Sequence, residues 1–122
     1  MAITKFEEIE SWQLGRVLAR KIYSCTNTGN FARDFALRDQ IRRAVGSIMH
    51  NIAEGFDGGS NAEFARFLGY SHRSCSEVQS QLYIALDQGY LSESEFSGLY
   101  DLAAETRGKI GGFIKYLRNT PK

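Results

Sequence analysis

The chain has 122 residues, of which 43% are hydrophobic, and its 15 basic and 14 acidic side chains leave a formal net charge of +1. This length is typical of one domain, residues 1–122, with a single core, and the near-neutral charge excludes a global field that draws a protein onto nucleic acid or anionic lipid. Since the sequence shows no signal-peptide pattern and no apolar run of roughly 20 residues, it predicts a cytoplasmic protein that does not enter the membrane.

The first predicted helix covers about Phe6 to Thr26, because apolar residues recur there every three or four positions. Its other face carries Arg16 and Arg20, which we assign to solvent, with a nucleic-acid contact as the alternative. Cys25 and Cys75 lie on apolar helical stripes. They are predicted to be buried, inert thiols, as expected in a reducing compartment, with a redox pair as the alternative.

The second predicted helix has Asp34 as its N-cap and runs to Ala53 or Glu54, where Gly55, Gly58 and Gly59 are expected to end it because glycine tolerates a positive φ. Besides its apolar stripe it carries a polar strip, roughly 90° away around the helix, formed by Gln40, Ser47, Asn51 and Glu54. A surface helix needs only the apolar stripe. The polar strip therefore predicts a further neighbour or a buried hydrogen-bond network.

The third predicted helix begins at Ser60, because Ser60 and Glu63 form the Ser-x-x-Glu pattern of a capping box. Apolar residues then recur at helical spacing as far as Gly89, which is expected to end the helix. About 110° from the apolar stripe lies a second polar strip, formed by Glu63, Tyr70, Ser74, Glu77 and Gln81.

The two polar strips are predicted to face each other across an antiparallel hairpin. In such a hairpin, residues whose numbers sum to about 117 lie at the same height. Glu77 is then expected to accept hydrogen bonds from Arg43 and Gln40, with a neighbouring subunit as the alternative source of donors. The same rule gives the pairs Ser47 with Tyr70, Arg43 with Ser74, and Gln40 with Glu77.

A fourth predicted helix begins with a second capping box, formed by Ser92 and Glu95. The only proline of the chain, Pro121, lies next to the C-terminus, so no proline ring interrupts any of the four helices. Four amphipathic helices with short connections predict an all-α fold, an antiparallel up-down-up-down four-helix bundle.

Metal and catalytic signatures are weak in this sequence. His50 and Glu54 are one helical turn apart but have no apparent third ligand. Neither His50 nor His72 follows a glutamate by three positions, as the ligands of a di-iron bundle do. Two histidines among many serines do not specify a hydrolytic triad. The sequence therefore predicts no catalytic residue, no metal, no cofactor and no small-molecule substrate.

Several motifs together carry a family resemblance: Gln40-Ile41-Arg42-Arg43-Ala44, Ser47-Ile48, Asn51-Ile52-Ala53-Glu54-Gly55, Glu63-Phe64, Phe67-Leu68, Ser74, Glu77 and Gln81-Leu82. Over nearly its whole length the chain resembles the bacterial S23, or 23S rRNA intervening-sequence, family. The resemblance implies an antiparallel four-helix bundle that assembles as a homopentamer and has an unsettled molecular role. A related branch, the basic accessory protein of diversity-generating retroelements, implies binding to nucleic acid.

The chain departs from the family after the Asn-Ile-Ala-Glu-Gly segment, where it has Asp57, Gly58 and Gly59 in place of basic residues. This difference weakens the case for RNA contact at the loop. Two functional hypotheses remain. The first is a non-enzymatic, self-associating bundle, a homopentamer whose polar strips join the subunits. The alternative is an RNA- or DNA-binding accessory protein that uses Arg16, Arg20, Arg38, Arg42 and Arg43.

Overall fold

The structure, a computed structural model, describes residues 2–120 and consists of four α-helices and two short 3-10 helices, Phe6–Glu8 and Phe31–Arg33. The four helices are α1 (Glu10–Cys25), α2 (Phe35–Asp57), α3 (Asn61–Asp87) and α4 (Glu93–Arg118). Contacts run between α1 and α2, α2 and α3, α3 and α4, and α4 and α1, so the helices close into a ring of four. The predicted all-α four-helix bundle is confirmed, while Pro121 lies outside the described residues.

The core is formed by the apolar stripes of all four helices. The Phe64 and Phe113 rings meet edge to face, with 5.0 Å between their centroids, and join α3 to α4. Burying one large aliphatic side chain contributes about 1.5 to 3 kcal/mol before entropic costs, so this core is the main source of stability. Its fully buried aliphatic residues include Leu18, Ile22, Ile41, Ile48, Ile52, Leu68, Leu82 and Ile110.

The start of α1 differs from the prediction of one continuous helix from Phe6. The Phe6–Glu8 segment is a separate 3-10 helix, and Ile9 follows it with an extended backbone, at φ −75° and ψ 122°. Ile9 is only 2% exposed. The break is explained by this burial, because the extended residue lets the chain change direction and place the Ile9 side chain in the core.

The end of α2 also differs from the prediction. Of the three glycines expected to end it, Gly55 lies inside the helix, which continues to Asp57 with Gly58 as its C-cap, and Gly59 has the expected positive φ, at +92°. Gly55 is instead buried against α3, where an added Cβ would lie 2.8 Å from Phe64 Cδ1 and 2.8 Å from the Phe67 Cβ. The missing side chain therefore serves close packing of two helices rather than termination.

The predicted starts of α3 and α4 are confirmed at the level of their N-caps. Ser60 Oγ accepts from the Glu63 N–H, although the Glu63 carboxylate accepts from Arg66 instead of completing the capping box. Around Ser92 both halves of the box form, with Glu95 as the partner. Helix α3 is terminated as predicted by Gly89, which lies two residues after Asp87, has a φ of +76° and donates its N–H to the Leu86 carbonyl.

Candidate interaction surfaces

The polar strips of α2 and α3 meet in a hydrogen-bond network between the two helices. Ser74 Oγ donates to Ser47 Oγ at 3.0 Å, and the Asn51 amide donates to Ser47 Oγ at 3.0 Å and to the Ser47 carbonyl at 2.9 Å. Ser74 is only 4% exposed. Nearby, the buried Ser71 hydroxyl donates to the Ile48 carbonyl at 2.8 Å. The network holds α2 and α3 together where a buried hydroxyl would otherwise lack a partner.

The pairs predicted from equal height are wrong in their details. Ser47 bonds to Ser74 instead of Tyr70, whose hydroxyl accepts from Arg66 at 2.7 Å. The cause is the tilt of helical side chains toward the N-terminus of their own helix. In an antiparallel pair the Ser47 side chain leans away from the connecting loop and the Ser74 side chain leans toward it, which brings them together.

A groove on the outer side of the α2–α3 contact collects part of both predicted strips. We call it the polar groove, and it is lined by Gln40, Arg43, Ala44, Ser47, Glu77 and Gln81. Glu77, Arg43 and Gln40 are exposed, and within residues 2–120 Glu77 makes no ion pair or hydrogen bond with either of the other two. The predicted Glu77 network is therefore not formed within one chain, because long side chains at the open rim of the groove remain in solvent.

The floor of the polar groove contains a polar atom that lacks a partner. Gln81 Oε1 is buried, and no hydrogen-bond donor in the described part of the chain reaches it. A buried acceptor without a partner costs about 1 to 3 kcal/mol. Ile84, one turn further along α3, is 47% exposed. This face of α3 therefore presents both an unmet acceptor and an uncovered apolar side chain.

Glu54 and Glu63 lie apart from the polar groove, at the loop end of the α2–α3 hairpin. They line a shallow cavity together with Asp57 and Phe67. The hydrogen bond from Arg66 lowers the pKa of the Glu63 carboxyl. Among residues 2–120 no three His, Cys, Asp or Glu side chains are placed to hold a metal ion. Glu54 and Glu63, two residues of the predicted polar strips, therefore line this cavity and are not part of the hydrogen-bond network around Ser47.

Of the five predicted nucleic-acid contacts, two arginines form an ion pair or a side-chain hydrogen bond within residues 2–120 and three do not, although the Arg16 guanidinium lies 6.0 Å from the Trp12 ring centroid. Arg38 Nε pairs with Asp39 at 3.0 Å, and Arg42 Nε donates to Thr26 Oγ1 at 2.8 Å while its guanidinium lies 4.6 Å from the Tyr23 ring centroid. The other three side chains are exposed and form no ion pair within residues 2–120; they are Arg16, Arg20 and Arg43. Arg42 thus also joins the end of α1 to α2, a role that its sequence position did not reveal.

A second groove, between α1 and α2, contains residues that the sequence analysis did not assign to nucleic-acid binding. We call it the arginine groove, and it is lined by Tyr23, Asp39, Arg42, Arg43, Gly46 and His50. Four of these residues lie three or four positions apart on α2 and so share one face of the helix, a pattern that the sequence alone contains. They are Asp39, Arg43, Gly46 and His50. The contribution of Tyr23 could not be predicted, since it depends on how α1 is placed beside α2.

Both cysteines are thiols held away from reaction. Cys75 is 0% exposed and Cys25 is half-buried. Burial raises the pKa of the Cys75 thiol to about 12. Burial, assisted by the Glu95 carboxylate, raises the pKa of the Cys25 thiol to about 11. The thiolate is the nucleophile, so neither side chain is suited to nucleophilic catalysis near neutral pH.

We expect neither thiol to react rapidly with a disulfide reagent such as DTNB in the folded protein at pH 8. With a pKa near 11, only about one Cys25 side chain in a thousand is a thiolate at that pH. In guanidinium both thiols should react, and the absorbance of the released thiolate measures both rates. Immediate reaction of one thiol per folded chain would contradict this expectation.

Comparison with known proteins gives the chain a family. The model of the family described as 23S rRNA-intervening sequence protein matches residues 7–112. A crystal structure of a protein with unknown function from the S23 ribosomal protein family of Bacteroides thetaiotaomicron VPI-5482 is similar, with a TM-score of 0.78. The sequences are 21% identical over 86% of this chain and 95% of that chain, so this likeness shows the fold. No curated protein sequence matches the chain. Within residues 2–120, no helix has the length and apolar character to cross a membrane.

Proposed function

The chain belongs to the 23S rRNA-intervening sequence protein family, and we propose that it acts as a non-enzymatic, self-associating interaction module. In this proposal the outer face of α2 and α3, including the polar groove, is the subunit interface. The assembly is a homopentamer, as the family resemblance implies. The observation that carries the proposal is the polar groove itself, where Arg43 and Glu77 form no ion pair within residues 2–120 and Ile84 beside them is 47% exposed.

A second copy of the chain would remedy three features of this face together. Association lets the half-buried Gln81 amide turn toward the neighbour, where a side-chain donor satisfies Oε1 and removes the cost of a buried acceptor without a partner. The neighbour also covers Ile84, which is 47% exposed. Glu77 and Arg43 line the same groove and form no ion pair within residues 2–120, so both can pair across an interface.

The proposal predicts that the wild-type protein assembles and that Glu77→Arg weakens the association of its subunits. Glu77→Arg places a second guanidinium in the groove beside Arg43, so like charges are buried together when subunits associate. We expect the concentration for half-dissociation to rise at least tenfold, which corresponds to about 1.4 kcal/mol. Analytical ultracentrifugation measures the change, with a wild-type species of five times the 13.7 kDa chain mass expected.

The matched control is Glu105→Arg, which makes the same charge change at an exposed position of α4 outside the polar groove. It should assemble like the wild-type protein. Because Glu77 is exposed and unbonded in one chain, Glu77→Arg should keep the helical circular dichroism spectrum. A wild-type protein that stays monomeric at tens of micromolar, or equal assembly by both variants, contradicts the proposal.

A further inference from the structure

The arginine groove is a concave site between two helices, separate from the core. Its volume of about 450 Å³ lies within the range of small-molecule sites, roughly 300 to 1,000 Å³. Gly46 lies at its floor, and an added Cβ there would meet only the His50 ring, at 3.7 Å from Nε2. The groove therefore owes part of its depth to a missing side chain.

The donors around this floor are already positioned. Arg42 is held by its Nε bond to Thr26 and by its contact with Tyr23, and its two terminal amino groups make no hydrogen bond within residues 2–120. Holding the guanidinium in advance reduces the entropy lost when it binds a ligand. Arg43 and His50 add a second cation and an imidazole at the same groove.

The charge balance of the groove favours an anion. Asp39 is the one carboxylate among the residues that line it, and Asp39 Oδ1 already accepts from Arg38 Nε at 3.0 Å. The guanidinium groups of Arg42 and Arg43 form no ion pair with a carboxylate in the described part of the chain. Guanidinium forks match the oxygens of phosphate in paired hydrogen bonds, and this geometry distinguishes arginine from a simple point charge.

Tyr23 gives the groove an aromatic edge. The side chain is 49% exposed, although the Arg42 guanidinium lies over its ring. Base rings stack on exposed aromatic and guanidinium planes. A ligand that combines a phosphate with a planar base therefore uses both parts of the site.

We propose that the arginine groove, through Arg42, Arg43 and His50, binds the phosphate of a nucleotide, with Tyr23 beside the base. The nucleotide is either free or one unit of a single-stranded nucleic acid. Tyr23, Arg42 and His50 line the arginine groove and not the polar groove, whereas Arg43 lines both, so this site shares one residue with the α2–α3 interface proposed above.

The test compares two variants that keep every charge. Gly46→Leu fills the floor of the groove with a side chain, and leucine is a good helix former, so α2 should keep its structure. The control Gly108→Leu makes the same change at an exposed position of α4, where an added Cβ meets nothing within 4 Å. Titration calorimetry at low salt with adenosine 5′-monophosphate, inorganic phosphate and a decamer of uridylate supplies the probes. The Arg42 Nε–H signal in a nitrogen-15 spectrum reports contact at the groove.

We expect adenosine 5′-monophosphate or the decamer to bind the wild-type protein and Gly108→Leu equally, and Gly46→Leu at least tenfold more weakly. Binding of the mononucleotide identifies a free nucleotide as a sufficient ligand, and binding of the decamer alone identifies the strand. His50 is exposed and its side chain makes no hydrogen bond within residues 2–120, so His50→Ala should keep the fold. It should weaken the same binding threefold or more, and it replaces Gly46→Leu if that variant does not fold.

Two outcomes overturn the proposal. One is the absence of binding by both organic probes at low salt. The other is equal binding by Gly46→Leu and the wild-type protein, or by His50→Ala where Gly46→Leu does not fold, which would indicate diffuse attraction to surface arginines instead of a site. Binding of inorganic phosphate alone is a case of the first outcome, because the base then contributes nothing.

Discussion

Gly55→Ala is expected to lower the free energy of unfolding by about 2 to 4 kcal/mol, although alanine is the better helix former. The added Cβ would lie 2.8 Å from both Phe64 Cδ1 and the Phe67 Cβ, and 3.3 Å from the Phe64 carbonyl oxygen. The Phe64 carbonyl is part of the α3 backbone and the Phe67 Cβ is bonded to that backbone, so neither atom can move away by a side-chain rotation. Relief requires α2 and α3 to separate, which opens gaps in the core around them.

The matched control is Gly69→Ala, in the interior of α3, where an added Cβ meets nothing within 4 Å. Here only the gain in helix propensity remains, so the variant should be more stable by about 0.5 to 1 kcal/mol. Urea denaturation followed by circular dichroism measures both changes at one protein concentration. If Gly55→Ala is as stable as the wild-type protein, the close contact between α2 and α3 is not formed as the structure shows.

The same glycine marks the limit of what the sequence could reveal about the fold. Helical spacing and capping patterns are local signals, and they correctly predicted four helices and the N-caps Asp34, Ser60 and Ser92. A glycine that ends a helix and a glycine that admits a neighbouring helix look alike in one sequence. Only the position of Phe64 and Phe67 against Gly55 distinguishes the two uses.

The candidate interface shows a similar division between local and tertiary information. The structure brings Ser47 of one predicted strip next to Ser74 of the other, while Glu54 and Glu63 lie apart at the loop end of the hairpin. The hairpin prediction failed on individual partners, because side-chain tilt pairs Ser47 with Ser74. The partners of Arg43 and Glu77 at the rim of the polar groove could not be predicted either, since they depend on solvent and on any second chain.

The contacts of the arginines depend even more on tertiary structure, so the sequence did not predict them. Sequence analysis named Arg42 only as a candidate nucleic-acid contact, a role that requires an accessible side chain. The structure brings it to Thr26, a residue predicted only as the last of the first helix and 0% exposed in the folded chain. Sixteen residues separate this pair, so no helical spacing connects them.

Thr26→Val is therefore expected to lower the free energy of unfolding by about 1.5 to 3 kcal/mol, despite the similar shape of the two side chains. Thr26 Oγ1 donates to the Ile22 carbonyl at 2.7 Å and accepts from Arg42 Nε at 2.8 Å. Valine removes both bonds and leaves the half-buried guanidinium Nε–H facing a methyl group. The cost falls at the junction of α1 and α2, where α1 ends.

The exposed Thr28→Val supplies the control, and its stability should stay within about 0.5 kcal/mol of the wild-type value. A double-mutant cycle of Thr26→Val with Arg42→Ala separates the hydrogen bond from the packing of either side chain. We expect a coupling of about 1 kcal/mol or more, because the charged donor loses its partner only in the single Thr26 variant. Additive effects of the two substitutions would show that Arg42 and Thr26 act independently, and Arg42 would then not be held in place for the arginine groove.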